Sequence, residues 1–222
     1  MPASLCIDVF SDVICPWCFI GSVRLTQALE SLASEVEAEV CYHPFFLDPS
    51  LPKAGVSIRE KLRKKLGVDP EQVWGRVESA AAESGISLDL SRQPKMYPTA
   101  AAHTLLRHAH ARGTQLELVA ALFREYFQEA ADIADEGVLA SIATKHGFTH
   151  REAFELVTTP AELELTSDEA LAAAQGGIRG VPFFVFSGQL AISGAQSVSV
   201  LAGAIRQALL RPLDSEPPPA SD

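Results

Sequence analysis

The chain has 222 residues, 47% of them hydrophobic and 21% charged, which is typical of globular proteins and excludes a disordered or fibrous chain. Its net charge of −10 argues against nucleic acid or an anionic membrane surface as a partner, because proteins that bind polyphosphate show a basic face. The sequence contains neither an apolar run near the roughly 18–20 residues of a membrane-spanning helix nor a secretory signal, so we expect a cytoplasmic protein.

The first 46 residues have the pattern of a strand, a helix and a second strand. Leu5–Phe10 is a short run rich in β-forming residues, and Phe19–Leu32 repeats apolar residues at nearly helical spacing. Val36–Phe46 begins with alternating apolar and polar residues, as a second strand would. A βαβ unit of this length predicts two parallel strands joined by a right-handed crossover.

A long helical block follows, and then the strand pattern returns. The predicted helices are at about 57–66, 70–83, 99–111, 115–130, 135–146, 149–157 and 160–175. Pro182–Phe186 and Gln189–Ser193 are predicted strands, joined by a hairpin turn at Ser187–Gly188. Ser197–Leu210 is a predicted amphipathic helix.

The order of these elements predicts an α/β fold in which a thioredoxin-like core (βαβ…ββα) carries a large all-helical insertion. We expect residues 1–52 and 176–211 to form the thioredoxin-like domain and residues 53–175 the helical insertion domain. Leu213–Asp222 has three prolines and no aromatic residue, which predicts a disordered tail at 212–222.

Cys15 and Cys18 form a C-x-x-C motif where the first predicted strand leads into the first helix. Unpaired backbone N–H groups and the helix dipole stabilise an anion there, which favours the thiolate of Cys15, the form that attacks disulfides. Cys18 follows one turn later and can attack the resulting mixed disulfide. Pro16 suits the first helical turn, and Trp17 offers an apolar surface to substrate. The motif therefore predicts a redox pair.

A C-x-x-C motif is also half of many zinc sites, and two close cysteines can be inert core thiols. A zinc site needs a second pair of ligands, whereas Cys6 and Cys41 are single residues in predicted strands without a nearby histidine pair. A proline between the cysteines at a strand–helix junction fits poorly with inert thiols. We therefore predict no metal site, and we expect Cys6 and Cys41 to be buried structural residues.

Pro182 immediately precedes the third strand of the predicted core. Proline is tolerated at a strand start, so its presence alone carries no function. In a thioredoxin-like core, however, a cis-proline loop faces the dithiol at this point. A cis bond would turn the backbone of Val181 outward, where it can pair with an extended substrate chain. We therefore expect a cis bond and assign Val181 and Pro182 to substrate binding.

Three further polar residues are candidates for the site. Asp8 and Asp12 precede the motif, and a carboxylate near a dithiol can relay protons, although a structural role is favoured for both. His103 and Arg107 are four residues apart on a predicted helix and share one face. We assign His103 to substrate binding, against the alternative of an ordinary packing residue.

Several segments together are similar to one known family, in the family's order: DVICPWCFIG at 12–21, HPFFLDP at 43–49, LFREYF at 122–127, GVPFF at 180–184 and SGAQ at 193–196. On these residues the chain resembles the FrnE-like branch of the DsbA family up to about Leu210. The resemblance implies a thioredoxin fold with an inserted helical domain, and disulfide oxidase or isomerase activity. It also implies that Cys15, Cys18 and Pro182 are site residues and that the Val181 backbone pairs with substrate.

The predicted function is dithiol–disulfide exchange on protein or small-molecule thiols and disulfides, with the direction set by the reduction potential. We expect no tightly bound cofactor, with glutathione as a candidate reductant, and a homodimer is left open. The main alternative is a glutathione-dependent isomerase or transferase. Kappa-class glutathione transferases and 2-hydroxychromene-2-carboxylate isomerases look similar in architecture but place serine where Cys15 stands. A third alternative is a binding module with a vestigial dithiol.

Overall fold

The computed structural model describes residues 2–67 and 70–210, and the predicted tail at 212–222 lies outside the described residues. The strands are β1 Ala3–Ser11, β2 Val36–Pro44, β3 Val56–Ser57, β4 Lys95–Met96, β5 Phe183–Phe186 and β6 Leu190–Ser193. The α-helices are α1 Pro16–Ser31, α2 Ile58–Leu66, α3 Pro70–Glu83, α4 Ala100–His110, α5 Gln115–Phe127, α6 Glu136–Ala143, α7 His150–Thr158, α8 Pro160–Gln175 and α9 Val198–Leu209. A 3₁₀ turn at Thr144–His146 extends α6.

The main sheet has four strands in the order β2-β1-β5-β6. Strands β1 and β2 are parallel, while β5 runs antiparallel to β1 and β6 antiparallel to β5. Helix α1 makes the crossover between the parallel strands, and α9 follows the hairpin and contacts α1. The predicted α/β class, with its βαβ and ββα parts, is confirmed.

The two faces of the sheet differ because side chains alternate along a strand. In β1, Leu5, Ile7 and Val9 are buried in the core, and we call their side the inner face. Cys6 and Asp8 point to the opposite side, the outer face, where Cys6 is exposed and Asp8 is half-buried. The redox motif directly follows β1, so the strand delivers it to one end of the sheet.

The helices between β2 and β5 attach to the sheet through specific contacts. The ring of Phe19 in α1 stacks on those of Phe123 and Phe127 in α5, with centroids 5.3 and 5.9 Å apart. The side chain of Gln115 in α5 satisfies the free backbone groups of Tyr42 on the edge strand β2. Its Oε1 accepts from the Tyr42 N–H at 2.8 Å, and its Nε2 donates to the Tyr42 carbonyl at 2.9 Å. One apolar core therefore spans both parts, and the domain boundaries at 52/53 and 175/176 stay a prediction.

The helical block also contains a two-stranded sheet that the sequence pattern does not predict. Strands β3 and β4 pair antiparallel, with Val56 opposite Met96 and Ser57 opposite Lys95. Strands of two residues carry no recognisable period, so the pattern gave no signal for them. The predicted helix at 115–130 ends earlier, at Phe127, because the chain turns at Ala130, whose φ is +56°.

Candidate functional site

Cys15 stands at the N-cap of α1, with Pro16 in the first helical turn. The Cys15 N–H donates to the Asp12 carbonyl at 3.0 Å, and the Cys15 carbonyl accepts from the N–H groups of Cys18 and Phe19 at 3.0 and 3.2 Å. The Cys15 side chain makes no capping hydrogen bond within α1, and the first turn, Pro-Trp-Cys-Phe, is uncharged. Backbone N–H groups at the helix start are therefore the nearest source of positive potential for the Cys15 sulfur.

Cys18 lies one turn into α1 and is 1% exposed. Burial, the hydrogen bond with Cys15 and the charge of Cys15 raise the pKa of the Cys18 thiol well above its ordinary value. Cys18 therefore keeps its proton at neutral pH. The two thiols are adjacent yet unequal, which fits an attacking sulfur at the helix start and a protonated partner behind it.

The loop before β5 lies directly against Cys15. The Val181–Pro182 peptide bond is cis, as expected from the sequence. The Cys15 thiol donates to the Val181 carbonyl oxygen, with 3.8 Å between sulfur and oxygen. On the other side of the loop, an added Cβ at Gly21 of α1 would lie only 3.0 Å from Pro182 Cγ and 3.2 Å from Phe184 Cζ. Glycine at position 21 therefore lets this loop sit close to the helix that carries the motif.

Asp12 and His103 form a buried polar pair behind the motif. Asp12 is fully buried and His103 is 3% exposed. Asp12 Oδ2 accepts from the Leu47 N–H at 2.8 Å, and Asp12 Oδ1 lies 3.5 Å from His103 Nε2. The His103 ring also lies 5.8 Å from that of Phe46, centroid to centroid. His103 thus contacts Asp12 in the interior rather than the surface, and its assignment to substrate binding stays a prediction.

A cavity opens beside the redox motif. Trp17 is 38% exposed and, with Ile14 and Pro16, forms one wall of an apolar cavity of about 240 Å³. Residues of α2 and α3, including Lys61 and Trp74, form the opposite wall. The residues predicted for the site thus meet at the start of α1, which carries Cys15, Pro16, Trp17 and Cys18 and is contacted by the Val181–Pro182 loop; both thiols are buried there.

Cys6 and Cys41 lie away from this region, on the outer face of the sheet. The expectation that both are buried is wrong for Cys6, which is exposed, and Cys41 is partly buried. The reason is the alternation along β1, which turns Cys6 away from the core that holds Leu5 and Ile7. Asp8 shares the outer face, where its Oδ1 accepts a hydrogen bond from His43 Nε2 at 2.8 Å, so it does not belong to the dithiol site.

The described residues were also compared with the requirements of a metal site and of a membrane-spanning helix. Over residues 2–67 and 70–210, no group of three or more His, Cys, Asp and Glu side chains has a geometry that could hold a metal ion. Within the same ranges, the helices are too short or too polar for any of them to span a bilayer.

Comparison with known proteins decides the family. The model of the DSBA-like thioredoxin domain matches residues 6–206, which is most of the chain. The chain belongs to the DSBA-like thioredoxin family. Membership confirms the DsbA resemblance and the predicted enzyme class, a thiol–disulfide oxidoreductase whose substrates are thiols and disulfides.

Solved structures agree with the DSBA-like assignment. A probable DsbA oxidoreductase, SCO1869 from Streptomyces coelicolor, is 28% identical with a TM-score of 0.84, and the match covers 98% of this chain and 94% of that one. A 2-hydroxychromene-2-carboxylate isomerase matches with a TM-score of 0.70 at 17% identity, covering 91% and 95%. The cytosolic disulfide reductase DsbM from Pseudomonas aeruginosa, solved with GSH, has a TM-score of 0.62 at 17% identity, covering 92% and 95%. At 17% identity the likeness concerns the fold alone.

The DSBA-like site includes residues that sequence reasoning missed. Gly21 was part of a quoted motif, but only its distance to Pro182 shows why a side chain is excluded there. Lys61 and Trp74 lie 46 and 59 residues after Cys15 in helices that were predicted without a role. One signal was present, because Ile58–Leu66 concentrates basic residues in an acidic chain.

Proposed function

We propose that this chain exchanges disulfides through a mixed disulfide at Cys15 that Cys18 resolves. The observation that carries the proposal is the inequality of the two thiols. Both thiols are buried, Cys15 at 4% and Cys18 at 1% exposed. Cys15 occupies the helix start against the Val181 carbonyl, whereas Cys18 lies one turn later and has a raised pKa. A sulfur at a helix start is stabilised as the attacking thiolate, and a protonated neighbour stays out of the first step.

The reaction balances as two successive exchanges. First, the Cys15 thiolate attacks one sulfur of a substrate disulfide, the substrate S–S bond breaks, and one substrate thiolate leaves. Next, Cys18 loses its proton and attacks the Cys15 sulfur, which releases the second substrate thiolate and leaves a Cys15–Cys18 disulfide. The substrate gains two electrons and the dithiol loses two. As Cys15 becomes neutral in the mixed disulfide, its charge no longer raises the pKa of Cys18, which favours the second step.

Return to the dithiol requires a reductant, and we propose a small thiol such as glutathione. Two glutathione molecules would reduce the Cys15–Cys18 disulfide and leave as glutathione disulfide. DsbM, a structural neighbour, is a cytosolic disulfide reductase solved with GSH, which supports both this reductant and a cytoplasmic location. In a reducing compartment the reductase or isomerase direction is favoured, and the reduction potential sets which one dominates.

Insulin reduction tests the proposal against its alternatives. Wild type should reduce insulin disulfides with glutathione as reductant, and Cys15→Ser should abolish turnover. Cys41→Ser is the matched control, because it removes a thiol on the outer face and should retain turnover. If glutathione conjugation is found instead and survives in Cys15→Ser, the kappa-class alternative replaces the proposal. Absence of both activities in folded wild type would support a binding module with a vestigial dithiol.

A further inference from the structure

A second cavity, of about 440 Å³, opens between α8, the start of α4 and residues 45–49, which follow β2. We call it the α8 cavity. Small-molecule sites are usually about 300–1,000 Å³, so it has room for a whole small ligand. Among the described residues that line it, none belongs to the redox motif or the Val181–Pro182 loop, and only Asp48 also lines the cavity beside Trp17. The α8 cavity is therefore a separate site.

Most of the wall of the α8 cavity is apolar. Phe45 and Phe46 contribute two aromatic rings, and α8 contributes Ala170, Leu171 and Ala174. Leu171 is 55% exposed although it is bulky and apolar. A ligand that covers this surface would remove it from water, which is favourable. The walls therefore suit the apolar body of a ligand.

One polar side chain in the α8 cavity lacks a partner. Thr99 is the N-cap residue of α4, and its side chain makes no capping hydrogen bond. It is 5% exposed, lines the cavity and forms no side-chain hydrogen bond with any other residue of the described part of the chain. Buried hydroxyl groups are normally hydrogen-bonded. The unpaired Thr99 hydroxyl therefore points to a polar ligand group in the cavity.

The start of α4 indicates the charge of that group. The first intrahelical hydrogen bond of α4 runs from the His103 N–H to the Thr99 carbonyl at 3.0 Å. The N–H groups of Ala100, Ala101 and Ala102 precede this bond and have no acceptor within the helix. The first turn of α4 also contains no acidic residue. The positive end of this 11-residue helix is thus free to stabilise an anion.

The nearby charges favour a single negative charge on the ligand. Asp48 lines the α8 cavity, but it pairs with Lys61 and accepts hydrogen bonds from the Ser50 N–H and hydroxyl at 2.9 and 2.6 Å. Its charge is therefore already balanced. The described residues that line the cavity include no lysine or arginine, so a doubly charged phosphate would lack a counter-charge there. A carboxylate fits the helix start better.

We propose that the α8 cavity binds a small monocarboxylate with an apolar body, such as a medium-chain fatty acid. The carboxylate accepts hydrogen bonds from the Thr99 hydroxyl and from the N–H groups of the first turn of α4. The alkyl chain packs against Phe46 and Leu171. This binding function is additional to disulfide exchange and does not depend on it.

The test is an NMR titration of the isotope-labelled full chain with octanoate, octanol and octylammonium, which share one alkyl chain and differ in charge. Octanoate should bind about tenfold or more tightly than octanol, because hydrogen bonds to a charged group are stronger than neutral ones. Octylammonium should bind more weakly than octanol, because the helix start repels a cation. The amide resonances of Ala101 and Ala102 should shift with octanoate and not with octanol.

Variants locate the two parts of the ligand. Thr99→Val removes the hydroxyl at nearly constant volume and should weaken octanoate binding about threefold to tenfold, while octanol binding changes less than about twofold. Thr99→Ser keeps a hydroxyl and should keep the preference for octanoate. Ala174→Trp fills the cavity from an exposed position and should abolish binding of both ligands. Ala172→Trp is the matched control, because Ala172 is also exposed on α8 but lines a different groove.

Three results would overturn the proposal. The first is no binding of octanoate to wild type up to about 5 mM. The second is equal affinity of wild type for octanoate and octanol, which would show that the start of α4 does not bind the carboxylate. The third is an octanoate affinity that is unchanged in both Thr99→Val and Ala174→Trp, which would place the ligand elsewhere. None of these results bears on disulfide exchange, which insulin reduction tests separately.

Discussion

Two regions of this protein each hold two cysteines, one aspartate and one histidine, and they differ in how these side chains are buried and in what surrounds them. The inner set lies at the start of α1 and consists of two thiols and an Asp–His pair: Cys15, Cys18, Asp12 and His103. The outer set lies on the outer face of β1 and β2 and consists of Cys6, Cys41, Asp8 and His43. Residue types alone would not tell which set performs the chemistry.

The environments of the thiols account for the difference. In the outer set, burial and the nearby carboxylates, Asp8 first among them, raise the pKa of Cys6, and similar causes raise the pKa of Cys41 to about 11. In the inner set, burial and the neighbouring Cys15 raise the pKa of Cys18, while Cys15 stands at a helix start. The comparison supports the proposed roles of Cys15 and Cys18, because a sulfur at a helix start is stabilised as the attacking thiolate and a protonated thiol beside it is available for the second step.

The largest expected effect separates the two sets by their cysteines. Cys18→Ala should lower insulin-reduction turnover at least about a hundredfold, because the mixed disulfide at Cys15 can no longer be resolved internally. Cys6→Ala and Cys41→Ala should stay within about twofold of wild type. Turnover is measured by insulin precipitation, and the trapped species by non-reducing electrophoresis. A comparable loss in Cys41→Ala, or no trapped species in Cys18→Ala, would break the comparison.

The Asp–His pairs give the next largest difference. His103→Leu leaves Asp12 Oδ1 buried beside an apolar side chain, so we expect the free energy of unfolding to fall by about 1–3 kcal/mol. His43→Leu is the matched control, since His43 and Asp8 are about one-third exposed and water can replace the contact, with an expected change within about 0.5 kcal/mol. Urea denaturation at pH 7 measures both. Equal losses in the two variants would contradict this distinction.

A third prediction concerns how closely the Pro182 loop approaches α1. Gly21→Ala places a methyl carbon 3.0 Å from Pro182 Cγ, which is closer than an ordinary van der Waals contact. The loop against Cys15 must therefore shift by a few tenths of an ångström. We expect kcat/KM for a small disulfide to fall about threefold to tenfold, because exchange depends on the position of groups around the sulfur. Gly203→Ala in α9 adds the same methyl group with no atom within 4 Å and should not change the rate. Unchanged kcat/KM in Gly21→Ala would show that the loop adjusts freely.

The smallest expected effect is a change in the alkylation rate of Cys41 in the outer set. Below its pKa of about 11, the thiolate fraction of Cys41 rises tenfold per pH unit, so alkylation at pH 8 should be slow. Asp8→Asn removes a neighbouring negative charge and lowers that pKa, which should raise the Cys41 alkylation rate at pH 8 about threefold. Glu37→Gln is the control, because Glu37 is an exposed acid on the same strand as Cys41, and it should not change the Cys41 alkylation rate. Peptide mass spectrometry after iodoacetamide treatment measures the rates, and a slower reaction in Asp8→Asn would contradict the sign.

Much of the architecture follows from local patterns. Runs of β-forming residues, apolar–polar alternation, helical spacing and a turn signal predict β1, β2, α1 and the C-terminal hairpin, since these are local properties of the chain. The redox pair is equally local, because a proline and a helix start surround the two cysteines. The pairing of β3 with β4 is not local, since Val56 meets Met96 forty residues later.

The failures of sequence reasoning all concern what covers a face. The run of β-forming residues that predicts β1 cannot say which side a core will cover, and so Cys6 was expected to be buried and is exposed. His103 was placed on a helix face that could line the site, but only the packing of α4 reveals Asp12 as its neighbour. The cavity beside Trp17 exists only because α2 and α3 pack next to the redox motif.

By itself, the sequence determined the order of elements, the fold class and the position of the dithiol, because backbone periods and turn residues act over a few neighbours. Only the tertiary structure decided that Cys6 is exposed, that His103 lies against Asp12, how near the Pro182 loop comes to α1, and where a cavity opens. These depend on burial and on charges brought together from distant parts of the chain, and neither is defined until the elements pack.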